Sequence, residues 1–488
     1  DNSYYVFIGL PNATEVASDW NTNTPSPIDN FDEHDNIYDT LISAKKITST
    51  DVLRVVPKVT WKSGTIYEMY RQDYSINKLS PQTSATTLYN ANFFIMNSDF
   101  RVYECIYNGA SPSNSGGGVI SLEEPSHTDL QPRLESDGYV WKYLYTIKPS
   151  DIIKFDSADY IPVPADWSSN TNVADVRNAA VDGKIETIVI EDVTNASYQF
   201  NGTKNGVPIR GDGQDGLASV TFINGKPSSV QVTNGGSGYS FATLDLDSVV
   251  TGAGASFAVI VPPPGGHGAD IYRELGANKV LVYSRIENSD VTNPDFPTGN
   301  QFARLGIIEN PQAYGSTNLL TASSAAGTYG LRLVGSATTS LLVEVDGNVT
   351  QTVGVGSTAV GKIIGYDPTT RILQYWQDRS LAVDNASGTK PTYGYQLNRF
   401  QANPGTGGSN NLIVKTTTGT ETLAIDAGFT GVSTTVNSRT YYFGQTYNSG
   451  VANPEIKKYS GNIIYIDQRP EVTRATNQRE DIKIILEF

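Results

Sequence analysis

The chain has 488 residues, a formal net charge of −15 and a single cysteine. Its length exceeds one ordinary hydrophobic core, which predicts about two to four domains. The acidity argues against a sequence-independent phosphate-binding surface, so no nucleic-acid partner is expected. The lone Cys105 excludes an intramolecular disulfide and any CxxC metal site, and no run of 18 apolar residues is present to insert in a membrane.

Only 17% of residues are charged, while Gly numbers 45 and Tyr 28. That balance, with frequent Asn and Thr and few long amphipathic runs, predicts a mainly β (α+β) protein with many turns. One cysteine fits folding in a reducing compartment. The sequons at Asn195 and Asn348 are what an Asn- and Thr-rich chain contains by chance.

In chain order, Tyr4–Leu10 is an apolar run closed by Gly9 and Pro11, hence a buried strand. We expect no signal peptide here, and a native N-terminal segment missing before Asp1. Residues 35–47 read as a helix capped by Asp35, with Ile37, Leu41 and Ala44 at helical spacing and Lys45 and Lys46 near its end. Strands are predicted at Val52–Trp61, interrupted by Pro57, at Asn92–Met96 and at Arg101–Tyr107. Gly109–Val119 is a loop. The segment Asp137–Ile147 carries Tyr139, Trp141, Tyr143 and Tyr145 at alternating positions, suited to a core, a subunit contact or an aromatic sugar platform. Tyr160–Trp167 and Ile185–Glu191 are further strands, with a weak helix at Asn170–Asp182 between them.

Near Asn201 the composition turns Gly-rich, with short strands at Ala218–Ile223, Ser228–Thr233 and Ala255–Val261. The glycines of Val232–Ser240 do not follow GxGxxG and no helix follows, which makes a poor dinucleotide turn. Pro262–Gly268 (PPPGGHG) is a rigid hinge out of this module. Strands return at Lys279–Ile286 and Gln301–Asn310. A second β-rich stretch holds Leu331–Val334, Leu341–Val345, Gly361–Tyr366, Ile372–Trp376 and Thr440–Phe443, with Asp367-Pro368 turning a hairpin. The chain closes on Gly461–Asp467, expected to stop at Pro470, and on Asp481–Phe488, with Ile482, Ile484, Leu486 and Phe488 on one face and Asp481, Lys483 and Glu487 mostly on the other. Both closing runs need partner strands from earlier in the chain.

No catalytic, cofactor-binding or metal-ligating residue is selected. The acids from Asp29 to Asp39 lack EF-hand spacing and read as a solvated helix start; Gly211–Gly216 (GDGQDG) reads as a polar turn, not a calcium loop. His34, His127 and His267 sit in no HExxH, and neither GxSxG nor a Walker A sequence occurs. A carboxylate pair for glycoside hydrolysis has no local signature. The expectation is therefore no enzyme and no cofactor.

Two blocks carry a resemblance. Ser136–Pro149 (SDGYVWKYLYTIKP) and Tyr459–Phe488, with its I-Y-x-x-x-R-P and D-I-x-I-I-L-x-F patterns, resemble the baseplate wedge protein called gene product eight of T-even-type contractile-tailed phages. Supporting similarities lie in Arg101–Tyr107, where the likeness implies that Cys105 is a core thiol, in Tyr160–Trp167 and in Gln301–Pro311. The resemblance implies a β-sandwich core with flanking helices, built from 1–200, 265–311 and 448–488, and two inserted β-rich domains at 201–264 and 312–447 that it does not cover. It also implies a homodimer, other baseplate wedge proteins as partners, a place in the virion after assembly in the bacterial cytoplasm, and movement when the baseplate rearranges at host attachment. The alternative expectation is a tail-associated adhesin whose insertions bind host glycan.

Overall fold

The computed structural model describes residues 2–11, 20–165, 171–287, 301–377, 397–473 and 479–487. Trp167, Phe488 and much of the Asn12–Asp29 loop therefore lie outside the described residues. The protein is mainly β, with few helices, as the composition leads one to expect. Contacts divide it into two units, Asp1–Asp51 with Tyr283–Ile482, and Val52–Val282 with Lys483–Phe488.

The first unit contains a five-stranded antiparallel sheet in the order Ser324–Ala326, Leu41–Lys46, Tyr4–Gly9, Gln301–Glu309, Asn462–Thr473. The closing stretch thus finds its partner in Gln301–Glu309. The apolar run from Tyr5 is buried, as a central strand with both faces covered requires. Phe7 lies across Gly306 of the neighbouring strand, where a Cβ would come within 2.3 Å of the ring.

Two expectations are corrected in this sheet. The helix spans Phe31–Thr40 and is capped by Asn30, whose side chain accepts from Glu33 N, while Leu41–Lys46 is a strand. The apolar positions 41–44 that fit a helical period are buried by strand pairing on both sides, and tertiary pairing overrides the local pattern. Pro470 does not end its strand either. The register jumps between Arg304 opposite Gln468 and Phe302 opposite Val472, so Pro470 sits in a bulge, where its missing N–H leaves no ladder bond unmade.

The same unit holds a closed six-stranded barrel. Around it run Tyr329–Val334, Ile372–Trp376, Ser357–Asp367, Asn348–Gly354, Asn411–Thr416 and Gly419–Ile425, every neighbouring pair antiparallel; pairing of the first with both the second and the last closes the ring. Leu331, Leu333, Val349, Ile363, Leu412 and Val414 are among its buried side chains. Tyr375 stacks on Tyr329 at 5.3 Å and meets Phe400 edge-on. The hairpin turning at Asp367-Pro368 forms as expected, Asp367 accepting from Thr369 N and the Thr370 hydroxyl. Leu341–Val345 is not a strand; only Val343 makes an isolated bridge, to Thr416.

The second unit packs a four-stranded antiparallel sheet, Phe94–Met96, Arg101–Tyr107, Val140–Thr146 and Arg133–Leu134, into a large aromatic core. Thr187–Asp192 pairs with Ser256–Ile260. Between them in sequence lies a separate sheet of Gly202–Gly211, Leu217–Ile223, Lys226–Asn234 and Ala242–Leu244. Its hairpin turns on Asn224 and Gly225, both at positive φ, the backbone that a two-residue type I′ turn demands.

Candidate functional site

Strand Arg101–Tyr107 is buried along its length, and at its centre stands a carboxylate, Glu104. Directly across, on Val140–Thr146, stands Lys142, also buried, its ammonium donating to Leu130 O at 2.9 Å. Two charged side chains facing inward from adjacent aromatic strands require compensation, because an isolated ion is costly in a low dielectric.

The compensation comes from residues 265–274. Gly266 and Gly268 hold positive φ, and a Cβ on Gly266 would strike Val181 O at 2.3 Å, so the chain turns there as only glycine allows. This turn points His267 into the core. The short helix Ile271–Glu274 follows, capped by the Asp270 carboxylate, which accepts from Tyr272 N and Arg273 N, and it delivers Glu274 to the same place.

His267 Nδ1 lies 2.8 Å from Glu274 Oε1 and 3.0 Å from Glu104 Oε2. Glu274 Oε2 accepts the Gly268 N–H at 2.7 Å. The imidazole has one Nδ1 proton to offer the two carboxylates, Glu274 being the nearer, and neither Glu104 oxygen finds a donor other than this nitrogen. The Tyr70 ring stands edge-on to the imidazole, centroids 4.8 Å apart. Exposure is 0% for Glu104, 2% for Glu274 and 6% for His267, so the group is closed to a bulky substrate.

The electrostatics follow from this packing. Burial and the adjacent Glu274 charge push Glu104 up to about 8, against the pull of His267. Burial works to raise Glu274 too, but the His267 cation and the Gly268 N–H hold it below its ordinary value. For His267 burial favours the neutral ring, and the two carboxylates outweigh it, raising the imidazole to about 10. Burial lowers Lys142. Near neutral pH the cluster is therefore an imidazolium bonded to the Glu274 carboxylate, beside a largely protonated Glu104.

Sequence reasoning names His267 but connects it with nothing, and passes over Glu104 and Glu274. The available signal was a charge at the middle of each aromatic strand, VYECIY and VWKYLY. Other candidates take structural places. Tyr139, Trp141, Tyr143 and Tyr145 are all buried, Tyr139 stacking on Trp141, so they form core and not an open sugar platform. Cys105 is buried, and burial raises its thiol well above the usual range. Of the acids near Asp29–Asp39, Glu33 pairs with Arg304, Asp39 accepts from the Tyr459 hydroxyl and Asp29 faces His34 at 3.1 Å. In GDGQDG, Asp212 accepts from Ser240 N and Phe241 N and serves a turn. His127 is buried against Tyr103, and burial lowers its pKa.

No protein-family model matches the chain, and the curated proteins give no significant match.

Proposed function

We propose that this chain is a structural subunit of the baseplate wedge of a contractile phage tail. In this reading it forms a homodimer, docks neighbouring wedge proteins and shifts position when the baseplate rearranges at host attachment. The observation that carries the reading is the joint occurrence of two sequence blocks, Ser136–Pro149 and Tyr459–Phe488, both resembling the same wedge protein. Their places in the fold are compatible with a framework role. The first supplies a strand buried on both faces, and the second supplies the strand that pairs with Gln301–Glu309.

The buried cluster is not itself a glycosidase centre. A carboxylate pair does converge at Glu104 and Glu274, but inside a closed core, where a glycoside could not lie between them. Deleting the encoding gene tests the proposal. Particles without the chain should lack a complete baseplate and fail to contract. Particles that keep a normal baseplate but lose host attachment would overturn it in favour of a glycan-binding role.

A further inference from the structure

We propose that Glu104, His267 and Glu274 form a binding site for one divalent transition-metal ion, of which zinc is the probe. Among the described residues these three bring their ligand atoms within 4.8 Å of one another. One imidazole nitrogen and two carboxylate oxygens are a donor set that zinc accepts, with water free to complete the coordination.

Three features of the geometry favour a cation. First, both oxygens of Glu104 are buried, and their nearest donor, His267 Nδ1 at 3.0 Å, lies closer still to Glu274, so a proton or a metal is what would settle that carboxylate. Second, the ligands are held from behind: Gly268 N–H fixes Glu274 Oε2, and the Tyr70 ring fixes the imidazole plane. Third, one side of the cluster borders a cavity. Tyr70 and Glu274 help to wall a cavity of about 580 Å3 shared with Asp182, Tyr239 and Arg273.

The fit requires a small outward movement. Tetrahedral ligands at ~2.0–2.2 Å from zinc lie ~3.3–3.6 Å apart, whereas the imidazole nitrogen is 2.8 and 3.0 Å from its two carboxylate neighbours. Outward rotation of Glu104, whose oxygens no backbone N–H holds, with Glu274 pivoting about its Gly268 bond, would supply the difference. The charge count is also favourable. A divalent ion that takes the place of the Nδ1 proton and a Glu104 proton leaves the net charge facing Lys142 unchanged. Because the ligands must be deprotonated, binding weakens as pH falls. The bound ion would tie the 265–274 turn to the aromatic strand that carries Glu104, a structural role independent of where the protein acts.

The test uses the full chain, stripped with a chelator and titrated with zinc and with cobalt. One equivalent should bind, cobalt should show visible ligand-field bands, and Glu104→Gln should bind at least about 100-fold more weakly. If that variant does not fold, anomalous diffraction at the zinc edge from wild-type crystals decides the matter. A peak beside His267 Nδ1 is the expected result. Saturating zinc with no peak there, or one equivalent bound at another site such as His34 with Asp29, overturns the proposal.

Discussion

Arg304 Nη2 meets Glu33 Oε1 at 2.6 Å, with both side chains almost wholly buried. The pair joins strand Gln301–Glu309 to helix Phe31–Thr40, and the same guanidinium donates to Asn36 Oδ1 and Thr40 Oγ1 of that helix and to Gln468 Oε1 of the next strand. Its flat face lies 5.5 Å from the Trp20 ring centroid, and the indole N–H donates to Arg469 O. A buried ion with all its edges engaged specifies how these elements register, and it leaves an expensive orphan when one member is removed. Arg304→Met should therefore cost ~3–5 kcal/mol, read as a lower urea midpoint. A loss below about 1 kcal/mol, the range of exposed pairs, would contradict this reading.

Gly306 is the point of closest approach in the same sheet. A Cβ there would meet Phe7 Cζ at 2.3 Å and Tyr465 O at 2.6 Å. Gly306→Ala should destabilise by ~1–3 kcal/mol through overpacking. Adding Phe7→Leu should recover part of the loss, because it clears the ring but not the carbonyl. Strictly additive losses in the double-mutant cycle would show that the ring is not the obstacle.

Inside the barrel, Gln351 is buried and makes three bonds to one irregular segment: Nε2 donates to Gln401 O at 2.6 Å and Ser409 O at 2.9 Å, and Oε1 accepts from Gln401 N at 2.9 Å. Gln351→Leu keeps the volume and strands those backbone groups. The expected cost is ~1–3 kcal/mol, with faster proteolysis near Gln401 before global unfolding. Unchanged cleavage there would mean that the segment is held by other contacts.

The cluster predicts a pH dependence for metal-free protein. Glu104 titrates at about 8 when folded, against an ordinary value of 4.5, so between these limits the folded state holds a proton that the unfolded chain has lost. Stability should thus fall as pH rises through that window, with a slope approaching about 1.4 kcal/mol per pH unit at most. His267, raised to about 10, adds a contribution that is complete below about 6.5 and lost as pH rises through 10. Glu274 acts at the acid end, its contribution disappearing as pH falls below its depressed folded value. Lys458, lowered by burial to about 7, works in the opposite sense above neutrality, and His127, lowered by burial, does so below about 6.5, so the wild type is compared with Glu104→Gln between pH 5 and 7. Glu104→Gln should flatten the slope in that range; an equal slope in the variant would assign the effect elsewhere.

Much of the fold is legible where its causes are local. The alternation of Ile482 and Ile484 with polar neighbours, and the Asp367-Pro368 turn, act within a few residues and appear as read. Asn224-Gly225 is an equally local hairpin signal between two β-runs. Long-range partners explain the misses. Leu41–Ala44 fits a helix until strands on both sides claim it, and Pro470 reads as a stop until a bulge opposite Ala303 accommodates it. The buried cluster was illegible for the same reason: Glu104 lies far from His267 in sequence, and no spacing rule links a strand centre to a glycine turn. What the chain does offer is the incongruity of Glu104 and Lys142 within aromatic strands, which demands partners without naming them.

The proposed wedge role is tested most directly by electron microscopy of intact virions labelled with Fab fragments raised against the chain. Label confined to the baseplate, in multiples of six around the tail axis, is the result predicted here. Label along fibres or at their tips would contradict it.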